Sequence, residues 1–239
     1  MYAHHCGMIY RVVVSAILLV WTGQAAGQTD SVRVYEGRAA RPRMATLAGP
    51  TVLTAYGFAA LKWDALISFD QQVRKVVWVD NPHQPFHLDN WLQYGPGLAV
   101  YGLNAAGVHG RHNFRDRTII YLLGYAMMGA AVLSLKHVIR APRPDGSGND
   151  GFPSGHTATA FVGAEFMQGE LGGLSVGYSI AGYVMATGTG FLRVYNDKHW
   201  FSELTTGAGI GMIAGKAGYW LFPLIARKLK LHPKAPYKW

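Results

Sequence analysis

The sequence predicts an all-α protein, a helical bundle with several helices embedded in a membrane. Three observations carry that expectation. Half of the 239 residues are hydrophobic and only 15% are charged, against about 25% in an ordinary soluble domain. Four apolar segments, at residues 92–108, 118–135, 172–192 and 204–226, have lengths near the ~20 residues of a membrane span. The basic residues behind the net charge of +9 gather at the ends of these segments, as they do around spans. They form no single dense patch of the kind that binds nucleic acid, so no nucleic-acid partner is expected.

Residues 1–27 read as a secretory signal peptide. Arg11 precedes the apolar run 12–21, and the small residues up to Gly27 provide a cleavage site; the run is short for a span. The single cysteine, Cys6, lies inside this segment, which excludes cysteine chemistry from the mature chain. Residues 28–90 read as an extracytoplasmic lead-in followed by amphipathic helices. In 46–78 an apolar stretch is interrupted by Lys62, Asp64, Asp70 and Arg74, which suits helices lying on a bundle or membrane surface. Residues 81–85, Asn-Pro-His-Gln-Pro, form a turn. The catalytic helical bundle is expected over 91–226, with a basic tail at 227–239. Within it, 118–135 and 172–192 carry no charge, and 204–226 is interrupted only by Lys216. Gly207, Gly211 and Gly215 recur every four residues and make a flat helix face for close packing.

Charge placement predicts an orientation. Arg111, Arg115 and Arg117 precede the segment 118–135, and Arg227, Lys228 and Lys230 follow the last one. The positive-inside rule puts both groups in the cytoplasm. The loop 136–152 and the turn 193–199 then fall together on the outer side, where a cleaved signal peptide also delivers the first mature residues. The helix opening at Ser154 must run back inward, ending near 169–173.

Three clusters on that outer side carry chemistry. In the first, Lys136 ends an apolar helix and Arg143 follows between Pro142 and Pro144. Prolines on both sides stiffen the backbone, and a guanidinium held there presents a fork suited to phosphate. In the second, Pro153-Ser154-Gly155-His156 opens a helix. Ser154 can cap it, Gly155 lets an anion approach the backbone, and the free amides and helix dipole favour phosphate. In the third, Arg193 lies near a helix end, His199 follows six residues on, and Glu203 stands four residues after His199, on the same helical face. A carboxylate there can hold one imidazole nitrogen and leave the other free as a nucleophile. Singly, each cluster also has a plain reading: a snorkelling lysine with a surface arginine, a serine cap, and a solvated i,i+4 pair. Their order and spacing favour a phosphate site. His83, His87, His109, His112 and His137 are scattered without ligand spacing and read as structural or interfacial. No His-Glu-x-x-His motif and no phosphate-binding Gly-x-x-x-x-Gly-Lys loop occurs, so no metal and no cofactor is expected.

With Lys136-x6-Arg143-Pro144, Pro153-Ser154-Gly155-His156 and Arg193-x5-His199-x3-Glu203, the chain resembles the type 2 phosphatidic acid phosphatase (PAP2) superfamily over about residues 90–222. That family shares its site with vanadium haloperoxidases, and the likeness is strongest to membrane-associated bacterial lipid phosphatases. The resemblance implies a helical bundle with the site at one end and a metal-independent phosphoric ester hydrolase. It implies that His199 attacks phosphorus to form a phosphohistidine, and that His156 protonates the leaving oxygen and then activates water. Lys136, Arg143, Arg193, Ser154 and the Gly155 amide would hold the phosphate oxygens. The chain departs from the pattern in three places. Glu203 stands where the family has aspartate, Leu192 replaces a serine before Arg193, and the connector between Pro144 and Pro153 is short. The expected function is hydrolysis of a phosphomonoester or pyrophosphate of an envelope lipid, with the membrane and that lipid as partners and the site facing the periplasm. A haloperoxidase-like enzyme and an impaired lipid-binding homologue are the alternatives.

Overall fold

A computed structural model describes residues 44–229. The signal peptide, the lead-in before residue 44 and the tail from Lys230 onward lie outside the described residues. The chain is all-α there. A short 3-10 turn (Met44–Leu47) leads into α1 (Ala48–Ala60), followed by α2 (Asp64–Arg74), which continues as a π-helical turn through Val79. Two shorter helices, α3 (Asp89–Leu92) and α4 (Gly95–Ala105), precede four longer ones: α5 (Phe114–Ile139), α6 (Gly155–Leu171), α7 (Val176–Tyr195) and α8 (Phe201–Lys228).

α6 is the axis of the bundle. It packs against α4, α5, α7 and α8, and every residue from Thr157 to Met167 is buried. A helix apolar on all sides needs neighbours on all sides. The glycine row of α8 provides one of them. A methyl group on Gly207, Gly211 or Gly215 would come closer than 3.0 Å to Ser154 O, Ala158 O and Glu165 Cβ respectively. The four-residue repeat thus lies flat against successive turns of α6. Where α1 meets another face of α8, side chains at Gly57 and Gly209 would collide with Thr206 and with the backbone of Pro50, so α1 seats equally close.

The polar interruptions of the apolar segments are paired inside the bundle. Lys216 Nζ donates to Glu165 Oε2 at 2.7 Å, and Tyr183 Oη donates to Glu165 Oε1 at 2.7 Å. A lysine and a glutamate therefore sit within apolar helices without an unpaired buried charge.

Among the described residues, two helices are long and apolar enough to cross a membrane, Phe114–Ile139 and Phe201–Lys228. They become three if Met44–Ala60 and Asp64–Val79, bent by 95° at their junction, act as one broken span. The four-segment expectation is corrected at 92–108 and 172–192. The first is broken before Pro96, leaving the 11-residue α4, which reaches only about 16 Å. The second forms the 20-residue α7, but its Gly, Ser and Thr content dilutes its hydropathy.

Local signals set the helix ends that matter for chemistry. Asn113 caps α5, accepting from the Asp116 amide at 3.0 Å, and α5 stops where Arg140 turns left-handed at φ 51°. Ser154 is the N-cap of α6. One end of the bundle therefore collects the C-termini of α5 and α7 and the N-termini of α6 and α8.

Candidate active site

All eight residues singled out in the sequence lie at that end. Lys136 is on the last turn of α5 and Arg143 in the loop that follows. Ser154, Gly155 and His156 open α6, Arg193 is on the last turns of α7, His199 is in the α7–α8 turn, and Glu203 is on the first turn of α8.

The His199–Glu203 pair is formed. His199 Nδ1 bonds Glu203 Oε2 at 2.8 Å, and both side chains are buried. The Trp200 amide also donates to Glu203 Oε2 at 3.2 Å, so the glutamate serves helix capping and imidazole orientation at once. With Nδ1 committed to the carboxylate, Nε2 is the ring atom left for chemistry. Burial, then the charges of Arg193, Lys136 and Arg143, push the His199 imidazole well below its usual range. The neutral form that this favours, with its proton on Nδ1, offers a lone pair at Nε2.

His156 stands beside the same cations. Burial first, then Arg193, push it down to about 4, with Asp89 acting in the opposite direction. Its Nε2 lies 3.0 Å from Asn90 Oδ1. Taken as a donor to that oxygen, Nε2 carries the proton and Nδ1 is left to exchange one.

The cations are held by carboxylates that the sequence reading did not identify. Arg143 makes a forked contact with Asp150, Nε to Oδ1 at 2.7 Å and Nη2 to Oδ2 at 3.0 Å. This bond, ahead of opposing burial, raises the guanidinium above its usual range and lowers the Asp150 carboxyl. Lys136 donates to the carbonyl of Asp150 and lies 3.9 Å from its carboxylate. Arg193 Nη1 donates to Asp89, which also accepts from Asn196 Nδ2 at 3.1 Å. Arg193 Nε is buried and has no bonding partner among the described residues, a donor that a bound oxyanion would satisfy.

Ser154 is fully buried and bonds Thr157 Oγ1 at 2.9 Å. A Cβ on Gly155 would meet only Val132, at an ordinary 3.8 Å, so internal packing does not demand glycine at that helix N-terminus.

α2 clamps the turn that carries His199. Asp70 accepts from the Ser202 amide at 3.0 Å and from the Ser202 hydroxyl, which caps α8 from outside. Arg74 makes a forked pair with Asp197 at 2.7 and 2.8 Å, and its guanidinium lies 5.9 Å over the Trp200 ring. In the sequence these charges appeared only as interruptions of an amphipathic helix; their spacing, one helical turn apart, was the available signal. Asn90, Asp89 and Asp150 gave none, since short polar residues in connecting segments ordinarily mark turns.

The opposite end of the bundle is also polar. His112 Nδ1 bonds Glu170 Oε1 at 2.7 Å, and Tyr219 Oη donates to the same oxygen at 3.0 Å. Back at the site end, His83 stacks on Tyr195 at the C-terminus of α7, with ring centroids 3.7 Å apart. Both histidines are tied into the packing of the bundle by these contacts.

Residues 117–227 match the family model of the PAP2 superfamily. A curated relative from Porphyromonas gingivalis, lipid A 1-phosphatase, is 39% identical over 145 residues, covering 59% of this chain and 33% of the relative. The chain thus matches about a third of that relative's length. Among solved structures, a transmembrane PAP2 type phosphatidylglycerolphosphate phosphatase from Bacillus subtilis is 22% identical with a TM-score of 0.53, over 75% of this chain and 96% of that one. This likeness shows the fold. LpxE of Aquifex aeolicus is 18% identical with a TM-score of 0.43, over 70% of this chain and 92% of that one.

Proposed function

The chain belongs to the PAP2 superfamily through residues 117–227, and from that premise we propose that it is a metal-independent phosphatase acting on a phosphomonoester or pyrophosphate of an envelope lipid. The observation that carries this reading is the buried His199–Glu203 pair beside three cations. Lys136, Arg143 and Arg193 draw the phosphoryl group in, with the Gly155 amide and Ser154 at the helix N-terminus. Nε2 of His199 attacks phosphorus. The P–O bond to the lipid breaks, and the leaving oxygen takes the proton held by His156. Glu203 stabilises the positive imidazole that forms. His156, now neutral, removes a proton from water, whose oxygen attacks phosphorus. The P–N bond breaks, orthophosphate leaves, and His199 returns to its starting state.

The curated relative's name motivates lipid A as the first lipid to try, and the exposed apolar residues Phe86, Leu88 and Trp91, within four positions of Asn90 in the chain, suit a substrate with acyl chains. The basic residues Arg115 and Lys228 at the far end of the bundle support a site facing the periplasm.

The test is phosphate release by the purified chain from lipid A, phosphatidylglycerophosphate, phosphatidic acid and undecaprenyl pyrophosphate, with p-nitrophenyl phosphate as the soluble control. His199→Ala should abolish release. His156→Ala should accumulate acid-labile phosphoprotein from p-nitrophenyl phosphate, whose leaving group needs no proton. Equal rates for wild type and His199→Ala would sink the mechanism.

A further inference from the structure

Glu203 has one carboxylate oxygen with an assigned task and one without. Oε2 accepts from His199 and Trp200. Oε1 is buried and has no bonding partner among the described residues. The atom facing it is the backbone of Gly151. A Cβ on that residue would come closer than 3.0 Å to Oε1, with Cδ and Oε2 at 3.1 Å.

Gly151 is not left-handed; the positive-φ glycines among the described residues are Gly107 and Gly146. Space, not backbone freedom, explains glycine here. Both sides of the contact are tied down by hydrogen bonds. The Gly151 amide is tied to Ala141 O at 2.9 Å and the next residue, Phe152, is fully buried. The preceding residue is Asp150, whose carboxylate and carbonyl hold Arg143 and Lys136. On the other side, the carbonyl of Glu203 accepts from the Ser154 amide at 3.1 Å. Gly151 is therefore the point where the loop holding the cations touches the carboxylate holding the imidazole.

We propose that Gly151 and Glu203 are a coupled positioning pair: the missing side chain at 151 makes room for the long glutamate arm to orient His199 while Asp150 keeps Arg143 and Lys136 in place. The proposal rests on the hydrolytic reading above. In the Gly151→Ala chain, the overlap requires a displacement of roughly 1 Å, and a misplacement of that size at reacting groups costs about a hundredfold in rate. Glu203→Asp withdraws the carboxylate by one methylene, so the same methyl at 151 meets empty space.

The test is a double-mutant cycle of Gly151→Ala and Glu203→Asp on the full chain in detergent. Turnover of p-nitrophenyl phosphate is one readout, and the imidazole nitrogen NMR shifts of His199 are another. Gly151→Ala is expected to lower kcat about a hundredfold when Glu203 is present and less than threefold in the Glu203→Asp background, and to shift the His199 Nδ1 signal only in the former. If Gly151→Ala alone does not fold, comparing Glu203→Asp with the double variant still decides: a further large loss overturns the proposal. Equal losses in both backgrounds also overturn it. The NMR arm needs no turnover, so the coupling stays testable if none of the tested phosphoesters is a substrate, and His199→Ala separately tests the hydrolytic reading.

Discussion

Binding of an oxyanion at this site should take up a proton. His156 is held down to about 4, by burial first and then by Arg193, against an ordinary value near 6.5. A dianion lodged among Arg193, Arg143 and Lys136 offsets those charges and places negative charge beside the ring, so the imidazole rises toward its ordinary value. The sign follows directly. Below about pH 4 the ring is charged in both states, and well above 6.5 it is neutral in both. Between them the free protein is neutral and the bound protein charged, so affinity rises as pH falls. One linked proton changes a binding constant by at most about tenfold per pH unit. Burial persists in the complex and the ring is partly screened, so a total tightening of about ten- to thirtyfold between pH 7 and 4.5 is expected. Sulfate does not titrate in this window. Calorimetry with sulfate at pH 5.5, in two buffers of different ionisation enthalpy, counts the proton, and His156→Asn should remove it. His199 is depressed in the same direction, and His199→Ala separates its share. An affinity independent of pH from 4.5 to 7, or an uptake unchanged in His156→Asn, would refute the reasoning.

Further outcomes follow from the same geometry. Without an anion, the unfolded chain binds protons at these histidines that the folded chain does not, so thermal stability in detergent should fall as pH drops from about 6.5 toward 4 and recover with sulfate. Asn90→Ala should lower kcat about ten- to a hundredfold with little change in KM, because His156 loses its orienting acceptor, while Asn90→Asp should move the pH optimum upward. Arg74→Ala strands the buried Asp197 carboxylate and should cost about 1–3 kcal/mol, with a drop in kcat from the loosened His199 turn; Arg74→Lys should not restore both, since an ammonium cannot make the forked contact. Lys216→Leu leaves Glu165 buried without its cation and should cost about 3 kcal/mol in unfolding experiments. Its kcat should be unchanged, because Glu165 lies about 15 Å along α6 from Gly155.

Much of the candidate site could be read without coordinates because its pieces are local. A serine cap, a glycine at a helix N-terminus and a histidine–glutamate pair at i,i+4 depend only on helical geometry. The glycine row of α8 was legible for the same reason. The supporting carboxylates were not. Asp70 reaches Ser202 across 132 residues and Asp89 reaches Arg193 across 104. Seen alone, Asp70 is a charge on an amphipathic helix and Asp150 a polar residue in a tight loop. Apolar length also misled at 92–108, where proline and glycine leave a helix too short to span.

By itself the sequence determined that the chain is helical, which helix ends carry cations and imidazoles, and that His199 has a carboxylate one turn away. Those properties follow from composition, periodicity and spacings of a few residues. Only the tertiary structure decided which carboxylate meets which cation, that α2 braces the His199 turn, and that Gly151 leaves room for Glu203. Those contacts depend on which helices lie side by side and how closely, and close packing of small residues along α6 and α8 sets that distance.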